Sequence, residues 1–263
     1  MAAATLQGTG NFPARPLQPQ GQKRSARDAA AGGVLASLRR CAGAACVAFA
    51  ARNDRCMTHD PTAPPQERFS AYYADRPPWD IGRPQPAFVA AGDRIRGRVI
   101  DLGCGTGDLA IWLAGLGRTV TGVDFLAAPL AQARAKAAAR GVAVNFLQMD
   151  ALAVGSIPER FDAAVDCGLF HTFDDAGRAA YVAAVGQLLE PGARMFILCM
   201  ADREPGTQGP RRVSTGEIRA AFQDGWEVES IEPAVFEVVP GIPGAEFSPG
   251  GARSWFVTAR RTA

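Results

Sequence analysis

Two spacings of apolar residues alternate along the chain from about residue 98 onward. Short β-branched and apolar runs are typical of strands, and segments in which apolar positions recur every three or four residues are typical of helices. This pattern predicts strands at 98–102, 119–123, 143–148, 161–166, 193–200, 226–235 and 254–260, and helices at 108–116, 127–140, 175–189 and from a capping box at 214 to 222. Strands that alternate with helices predict an α/β protein with a doubly wound parallel sheet, whose ligand lies at the carboxyl ends of the strands.

Three alternate glycines follow the first predicted strand, in the stretch V-I-D-L-G-C-G-T-G-D-L-A at 99–110. Gly103, Gly105 and Gly107 indicate a tight turn, because glycine adopts backbone angles that a Cβ obstructs and lets a ligand approach the main chain closely. The helix that begins at Asp108 offers backbone N–H groups to polar ligand atoms. A dinucleotide fingerprint requires Gly or Ala at that position, so the acid there disfavours a nicotinamide-dependent oxidoreductase.

Four predicted strands end in or are followed by acids, namely Asp101, Asp124, Asp150 and Asp166. Asp124 lies 21 residues after Gly103, where a carboxylate can accept hydrogen bonds from both hydroxyls of a ribose. Asp150 can accept a hydrogen bond from an adenine amino group, with Met149 and Ala151 packed beside the ring. Each acid could instead form a turn or cap a helix, which are common roles for Asp.

Several motifs together resemble the class I S-adenosylmethionine-dependent methyltransferases. They are V-I-D-L-G-C-G-T-G, V-T-G-V-D, L-Q-M-D-A and L-L-E-P-G-A-R, and the resemblance extends from Trp79 to about Arg260. It implies a Rossmann-like, mostly parallel seven-stranded sheet with an antiparallel carboxyl-terminal edge strand, and S-adenosylmethionine as the cofactor. By this resemblance Asp101 and the 103–107 turn hold the methionine part, Asp124 the ribose and Asp150 the adenine end. The predicted cofactor residues also include Phe125, Met149, Ala151 and Asp166.

An earlier segment, P-W-D-I-G-R-P-Q-P, narrows the resemblance. The pattern around it predicts a helical turn at 69–73, an extended proline-rich loop at 77–86 and a short helix at 88–91. Together with G-P-R-R-V-S at 209–214, it resembles the thiopurine methyltransferase-like branch, which includes plant thiol and halide methyltransferases and bacterial enzymes acting on small heterocycles. This branch uses the Trp-containing segment as a lid over the cofactor, which implies that Trp79 contributes to the cofactor site.

The sequence determines the chemistry of the methyl acceptor less closely than it determines the cofactor. A hydroxyl of high pKa needs a nearby base, whereas a thiol or halide mainly needs a dry pocket. His171 follows the fourth predicted strand and is either that base or a structural histidine bound to a backbone carbonyl. Phe170 and Phe173 either face an aromatic acceptor or belong to the core. Three arginines beyond the fifth strand either attract an anionic acceptor or solvate a loop: Arg203, Arg211 and Arg212.

These residues predict an enzyme that methylates a small, aromatic or heterocyclic acceptor on a hydroxyl or N-hydroxy oxygen. The alternative within enzymes is a thiol, sulfide or halide methyltransferase. A binding or regulatory module that keeps the fold without catalysis is a third interpretation. No metal is required, since methyl transfer from a sulfonium needs alignment and exclusion of water.

Composition separates residues 1–65 from the methyltransferase domain expected at 66–263. The first segment is rich in Ala, Gly, Gln, Pro and Arg and lacks sustained periodicity. It is an Arg-rich transit peptide, a disordered arm or an over-long start assignment, with Met57 as the natural beginning. We favour the last interpretation.

Charge and cysteines limit the partners of the chain. Residues 1–60 hold eight Lys or Arg and three Asp, which leaves 20 basic and 23 acidic residues in the remainder. The slight excess of acidic residues after residue 60 disfavours nucleic acid as a binding partner. The six cysteines lack a CxxC pair, and the longest uncharged apolar run, 41–51, is too short to span a bilayer. We therefore expect a cytoplasmic protein with reduced thiols, no membrane contact and a monomeric or weakly homo-oligomeric state.

Overall fold

The computed structural model describes residues 64–242 and 245–262. The prediction for residues 1–65 lies almost entirely outside these described residues. The α-helices and β-strands follow one another in the order α1 (Pro65–Ala74), α2 (Pro86–Ala91), β1 (Arg98–Leu102), α3 (Asp108–Gly115), β2 (Thr119–Asp124), α4 (Ala127–Ala139), β3 (Asn145–Gln148), β4 (Phe161–Cys167), α5 (Asp175–Leu188), β5 (Leu189–Met200), α6 (Thr215–Ala221), β6 (Trp226–Phe236) and β7 (Ala252–Arg261). The alternation of strands and helices predicted from the sequence is confirmed.

The seven strands form one sheet in the order β3-β2-β1-β4-β5-β7-β6. The first five pair in parallel, whereas β7 runs antiparallel to both β5 and β6. The predicted Rossmann-like, mostly parallel sheet with an antiparallel carboxyl-terminal strand is therefore confirmed, but this strand, β7, lies inside the sheet and β6 forms the edge. The strand order reverses between β1 and β4, and ligands bind at such a reversal in doubly wound sheets.

Two apolar clusters cover the two faces of the sheet. One joins α2, α3 and α4 to the sheet, with Phe88, Leu113 and Leu130 fully buried. The other joins α5 and α6 to the opposite face, with Tyr181 and Leu188 fully buried. Because helices cover both faces, a ligand site can be built at the carboxyl ends of the strands. We call this end of the sheet its carboxyl edge.

Several elements differ from the prediction in where they begin, among them α1 at Pro65, α2 at Pro86 and β3 at Asn145. β5 begins at Leu189 instead of residue 193, because Leu189 already pairs with Phe161 before an irregularity in the ladder. Short 3₁₀ turns at Ala151–Ser156 and Phe170–Thr172 follow β3 and β4 and have no apolar periodicity that could reveal them. Both turns lie on the carboxyl side of the sheet and shape the candidate site.

The P-W-D-I-G-R-P-Q-P segment is fastened to the chain that follows β6. Gln85 is 3% exposed, and its side-chain amide donates to the Glu237 carbonyl (2.9 Å) and accepts from the Glu237 N–H (2.8 Å). Arg83 forms an ion pair with the Glu237 carboxylate at 2.5 Å. The carbonyl of Pro78 accepts from the Val239 N–H at 2.8 Å. The motif therefore holds residues 77–86 over the sheet edge.

Replacing Gln85 with Ala should lower the free energy of unfolding by about 1–3 kcal/mol, because two backbone groups of Glu237 lose their partner. Gln223→Ala is the matched control, since Gln223 is exposed and bonds carbonyls close to it in sequence. The control should change stability by less than about 0.5 kcal/mol. Denaturant unfolding measures both, and equal effects would show that Gln85 does not anchor the segment.

Candidate active site

The turn between β1 and α3 has a left-handed backbone at all three predicted glycines, with φ values of 68° at Gly103, 52° at Gly105 and 82° at Gly107. A Cβ on Gly105 would lie 2.7 Å from the Tyr73 hydroxyl, and a Cβ on Gly107 would lie 2.8 Å from the Cβ of Ala133. The turn thus packs under α1 on one side and against α4 on the other. A side chain at either glycine would force these helices away.

Asp101 lies at the carboxyl end of β1 and is 1% exposed. The backbone N–H of Ala110 donates to its carboxyl group, but its Oδ2 is buried without a hydrogen-bond partner among the described residues. Burial, followed by the negative charge of Asp166, raises the pKa of Asp101 to about 8. Asp101 therefore carries a proton at neutral pH and leaves one enclosed polar atom available beside the glycine turn.

Asp124 ends β2 beside the same turn. Its Oδ2 accepts from the Gly105 N–H at 2.9 Å, and its Oδ1 accepts from the Leu126 N–H at 2.9 Å. Burial raises the pKa of Asp124, and these backbone donors oppose the rise. Each carboxylate oxygen accepts about two hydrogen bonds, so Asp124 keeps acceptor capacity for a polar ligand.

Asp166, which the sequence predicts as a cofactor residue, is engaged by other parts of the protein. It is fully buried, and its Oδ1 accepts from the backbone N–H groups of Leu169 (2.8 Å) and Phe170 (3.2 Å). Its Oδ2 accepts from the Tyr181 hydroxyl at 2.8 Å. Burial nevertheless raises the pKa of Asp166 to about 6. Asp166 holds the 3₁₀ turn after β4 in place, because its oxygens are directed at that turn and at α5.

Asp150 is exposed and caps the 3₁₀ turn after β3, where its Oδ1 accepts from the Leu152 N–H at 2.9 Å. Met149 is half-buried against the core, and Ala151 is 9% exposed. The Met149 N–H donates to the Asp124 carbonyl at 3.0 Å, which brings the end of β3 beside the end of β2. The structure thus groups these three residues near Asp124.

Four aromatic rings, which we call the aromatic lid, gather over this edge from α1 and the following loop: Phe69, Tyr72, Tyr73 and Trp79. The Trp79 ring packs against the other three with centroid distances of 6.1, 4.9 and 6.2 Å, respectively. Phe69 meets Phe125, the residue after Asp124, edge to face at 5.9 Å. The predicted Trp79 and Phe125 are therefore brought into one aromatic cluster above the glycine turn.

A polar network joins the loop of the lid to the turn and to α4. Thr106, inside the glycine turn, donates from Oγ1 to the Asp80 carboxylate at 2.9 Å and accepts from Lys136 Nζ at 2.7 Å. Lys136 also pairs with Asp108 at 2.9 Å. The acid at position 108, which argued against a dinucleotide, is thus the partner of the sole lysine after residue 23.

The prediction from the sequence did not include Tyr73, Thr106 or Lys136. Thr106 could have been singled out by its place between Gly105 and Gly107, and Lys136 as one of only two lysines in an Arg-rich chain. Burial raises the pKa of the Tyr73 hydroxyl, and the Asp124 charge adds to the rise. No sequence signal indicates that Tyr73 lies over Gly105, because this contact spans separate elements.

His171 is 6% exposed and lies between the ends of β4 and β5. Its Nδ1 accepts a hydrogen bond from the Met200 N–H at 3.0 Å. Burial, and then the positive charge of Arg212, lowers the pKa of His171 to about 3. The backbone contact agrees with a structural histidine, except that the ring accepts from an N–H where we expected a carbonyl partner. A group so weakly basic is a poor general base at neutral pH.

The neighbouring candidates belong to the scaffold. Phe170 is fully buried and stacks on Phe222, and Phe173 packs against Tyr181. The three arginines are engaged in loop contacts. Arg203 lies over the Trp255 ring, Arg211 pairs with Asp175 and Glu217, and Arg212 donates to backbone carbonyls of residues 204, 205, 208 and 210. The core role of the phenylalanines and the loop role of the arginines agree with these contacts.

Within residues 64–242 and 245–262, no group of three or more His, Cys, Asp or Glu side chains is arranged to hold a metal ion. Within them, too, every helix is too short or too polar to cross a bilayer.

Comparisons with known proteins agree on one family. Residues 99–192 match a family model described as a methyltransferase domain. The chain is 33% identical to 2-heptyl-1-hydroxyquinolin-4(1H)-one methyltransferase of Mycobacteroides abscessus over 185 residues, which cover 68% of this chain and 80% of the relative. It is 28% identical to "Probable thiol methyltransferase 2" of Arabidopsis thaliana, covering 61% and 74% of the two chains.

A solved structure shows similarity over a comparable length. It comes from a study of the conversion of a disulfide bond into a thioacetal group during echinomycin biosynthesis. The two chains share 37% identity with a TM-score of 0.66, and the match covers 75% of this chain and 93% of the other. The segment that matches the family model, residues 99–192, includes the glycine turn, Asp124 and the end of β3.

Asp101→Asn should change how stability depends on pH. The folded-state pKa of Asp101 is about 8, against about 4 in an unfolded chain, so the stability contributed by its proton is complete below pH 4 and lost as pH rises to 8. Each pH unit in this window can cost up to about 1.4 kcal/mol. Thermal unfolding of ligand-free protein from pH 5.5 to 8 should show the wild type losing stability relative to Asp101→Asn.

Asp150→Asn is the control for this measurement, because Asp150 is exposed. Its difference in Tm from the wild type should stay constant over the same pH range. A constant difference for Asp101→Asn as well would contradict a protonated Asp101.

Proposed function

The chain belongs to the class I S-adenosylmethionine-dependent methyltransferases of the small-molecule type, and from this membership we propose that it methylates an oxygen of a small aromatic or heterocyclic acceptor. An N-hydroxy or hydroxyl oxygen is the favoured position. The observation that carries this proposal is the match to the Mycobacteroides enzyme, which covers 80% of that relative and whose name specifies an N-hydroxy heterocycle.

The described residues fit the cofactor. The left-handed turn at 103–107 follows Asp101, whose Oδ2 has no partner among the described residues and suits the polar methionine end. Asp124 retains acceptor capacity for ribose hydroxyls, while Phe125, Met149 and Ala151 supply apolar surface for the adenine and Asp150 supplies an acceptor. We assign these residues and Trp79 to cofactor binding.

S-adenosylmethionine supplies an activated methyl group, which is transferred by in-line displacement at its carbon. The tasks left to the protein are to align the acceptor and to exclude water. The aromatic lid covers the glycine turn with four rings and supports exclusion of water. The Asp80–Thr106–Lys136 network ties the loop of the lid to the turn, so closure of the lid and cofactor binding are coupled.

Sulfur acceptors are the second candidate. The Arabidopsis relative is named a thiol methyltransferase, and the structural relative at 37% identity comes from a study of disulfide conversion. A thiolate needs alignment and a dry pocket, without a strong base. The same cofactor residues serve both candidates, so the acceptor distinguishes them.

We expect the full chain to transfer labelled methyl from S-adenosylmethionine to 1-hydroxyquinolin-4-ones and related hydroxylated heterocycles. Asp124→Ala should weaken cofactor binding about tenfold or more, through loss of charge-assisted hydrogen bonds, while Asp162→Ala, an exposed acid that bonds the Arg98 N–H at the start of β1, should leave it unchanged. Product from aryl thiols, sulfide or iodide alone would favour the second candidate. Cofactor binding without transfer to any acceptor would indicate a binding module and contradict both.

Thr106→Val should weaken S-adenosylmethionine binding about 5- to 100-fold, because Asp80 and Lys136 lose the hydroxyl that joins them. Thr106→Ser keeps the hydroxyl and is the matched control, for which we expect nearly wild-type affinity. Calorimetric titration measures both variants. Equal affinities of the Val and Ser variants would contradict coupling through Thr106.

A further inference from the structure

The hydrogen bond at His171 fixes the position of the proton on its ring. Nδ1 accepts from the Met200 backbone N–H, so Nδ1 carries no proton. A neutral imidazole has one donor and one acceptor nitrogen, and the proton is therefore on Nε2. In this tautomer Nε2 donates a hydrogen bond and cannot take a proton from a substrate. The ring can assist an acceptor only as a donor.

The surroundings of the ring keep it neutral. Arg212 is the charged group that acts on the imidazole, and its positive charge opposes protonation. Phe236, at the end of β6, lies 6.1 Å from the ring, and a Cβ on Gly168, at the end of β4, would lie 3.5 Å from His171 Cε1. Among the described residues Nε2 has no hydrogen-bond partner and is not one of the fully enclosed polar atoms. One polar N–H is thus available in apolar surroundings.

Four other titratable groups at this edge of the sheet are bonded to the protein or held neutral by burial: Asp166, Tyr73, Cys104 and Cys167. Both oxygens of Asp166 accept hydrogen bonds from the protein. The Tyr73 hydroxyl accepts from Trp79 Nε1 at 3.5 Å, and burial raises its pKa. Burial also raises the pKa values of the Cys104 and Cys167 thiols, so neither is a thiolate at neutral pH. None of these four groups is therefore suited to take a proton from the acceptor at neutral pH.

We propose that His171, with its proton on Nε2, donates a hydrogen bond to the methyl acceptor, and that the acceptor reacts as an anion formed before transfer. This inference rests on the proposed function and narrows its substrate class to acceptors acidic enough to ionise near neutral pH: N-hydroxy heterocycles, electron-poor phenols and thiols. The donor stabilises the anion and orients it, since hydrogen bonds to charged groups are strong.

The transfer step then balances without a base. The acceptor loses its proton to solvent beforehand, and its anion supplies the electron pair of the new bond to the methyl carbon. The carbon–sulfur bond of the sulfonium breaks with its electron pair passing to sulfur. The products are a neutral methyl ether or thioether and S-adenosylhomocysteine, and no proton moves in this step.

The pH dependence of kcat/KM tests the proposal in the unmodified full chain. The probes are ring-substituted 1-hydroxyquinolin-4-ones and phenols of graded acidity. With an anionic acceptor, kcat/KM rises with pH up to the pKa of each acceptor and then stays level, and the inflection moves from one acceptor to the next. A base in the protein would instead act on the neutral acceptor, so kcat/KM would fall above the acceptor pKa. That fall would overturn the proposal while leaving the proposed function intact.

Two substitutions separate the donor from the backbone contact. Asn in place of His171 offers an oxygen near the Nδ1 position to the Met200 N–H but has no donor near Nε2, whereas Gln offers a donor near Nε2. We expect His171→Asn to lower kcat/KM for the acceptor about 10- to 100-fold with unchanged cofactor affinity, and His171→Gln to recover most of this loss. The level region of the pH profile should persist in both.

Wild-type kcat/KM in His171→Asn, or equal losses in the two variants, would overturn the donor role. Cofactor affinity and the unfolding transition show whether each variant is folded, and the pH profile of the wild type holds without any variant. If no acceptor in either series is methylated, the proposed function fails and this inference with it.

Discussion

The carboxyl edge of the sheet depends on how three buried carboxyl groups are stabilised. Asp101, Asp124 and Asp166 are each at most 6% exposed, and burial disfavours the charged form of all three. Asp166 is satisfied by three protein donors and so fixes the turn after β4. Asp124 is held by two backbone N–H groups and keeps capacity for a ligand. Asp101 has one oxygen without a partner among the described residues and is the least satisfied of the three carboxyl groups.

The aromatic lid and the loop that carries it cover the carboxyl ends of the strands. Gln85 and Pro78 fasten residues 77–86 to the chain after β6, and Thr106 links Asp80 to Lys136 on α4. The same short motif thus contributes the Trp79 ring to the lid and the polar contacts that position it. A cover attached both to the glycine turn and to the distal edge of the sheet is suited to enclosing a cofactor, because it positions the aromatic rings and reduces access of water together.

Oxygen and sulfur acceptors make the same chemical demands on the protein when His171 is a hydrogen-bond donor. Both candidate acceptor classes then react as anions. The relatives of this chain include one named for a hydroxyquinolinone and one named for thiols. Loops that shape binding sites vary among proteins of one fold, so the shape of the acceptor pocket decides between the two classes.

Local sequence determined the strands, the glycine turn and the capping box at Ser214, because periodicity, glycine spacing and short-range hydrogen bonds act within a few residues. It also placed the acids at the strand ends and indicated the methyltransferase family. It did not show that Asp124 bonds the glycine turn at Gly105 or that Asp166 bonds Tyr181 of α5, because these partners lie in separate elements. The contact of Tyr73 with Gly105 and the tautomer of His171 were likewise decided by tertiary structure, because their partners are brought together only when separate elements pack.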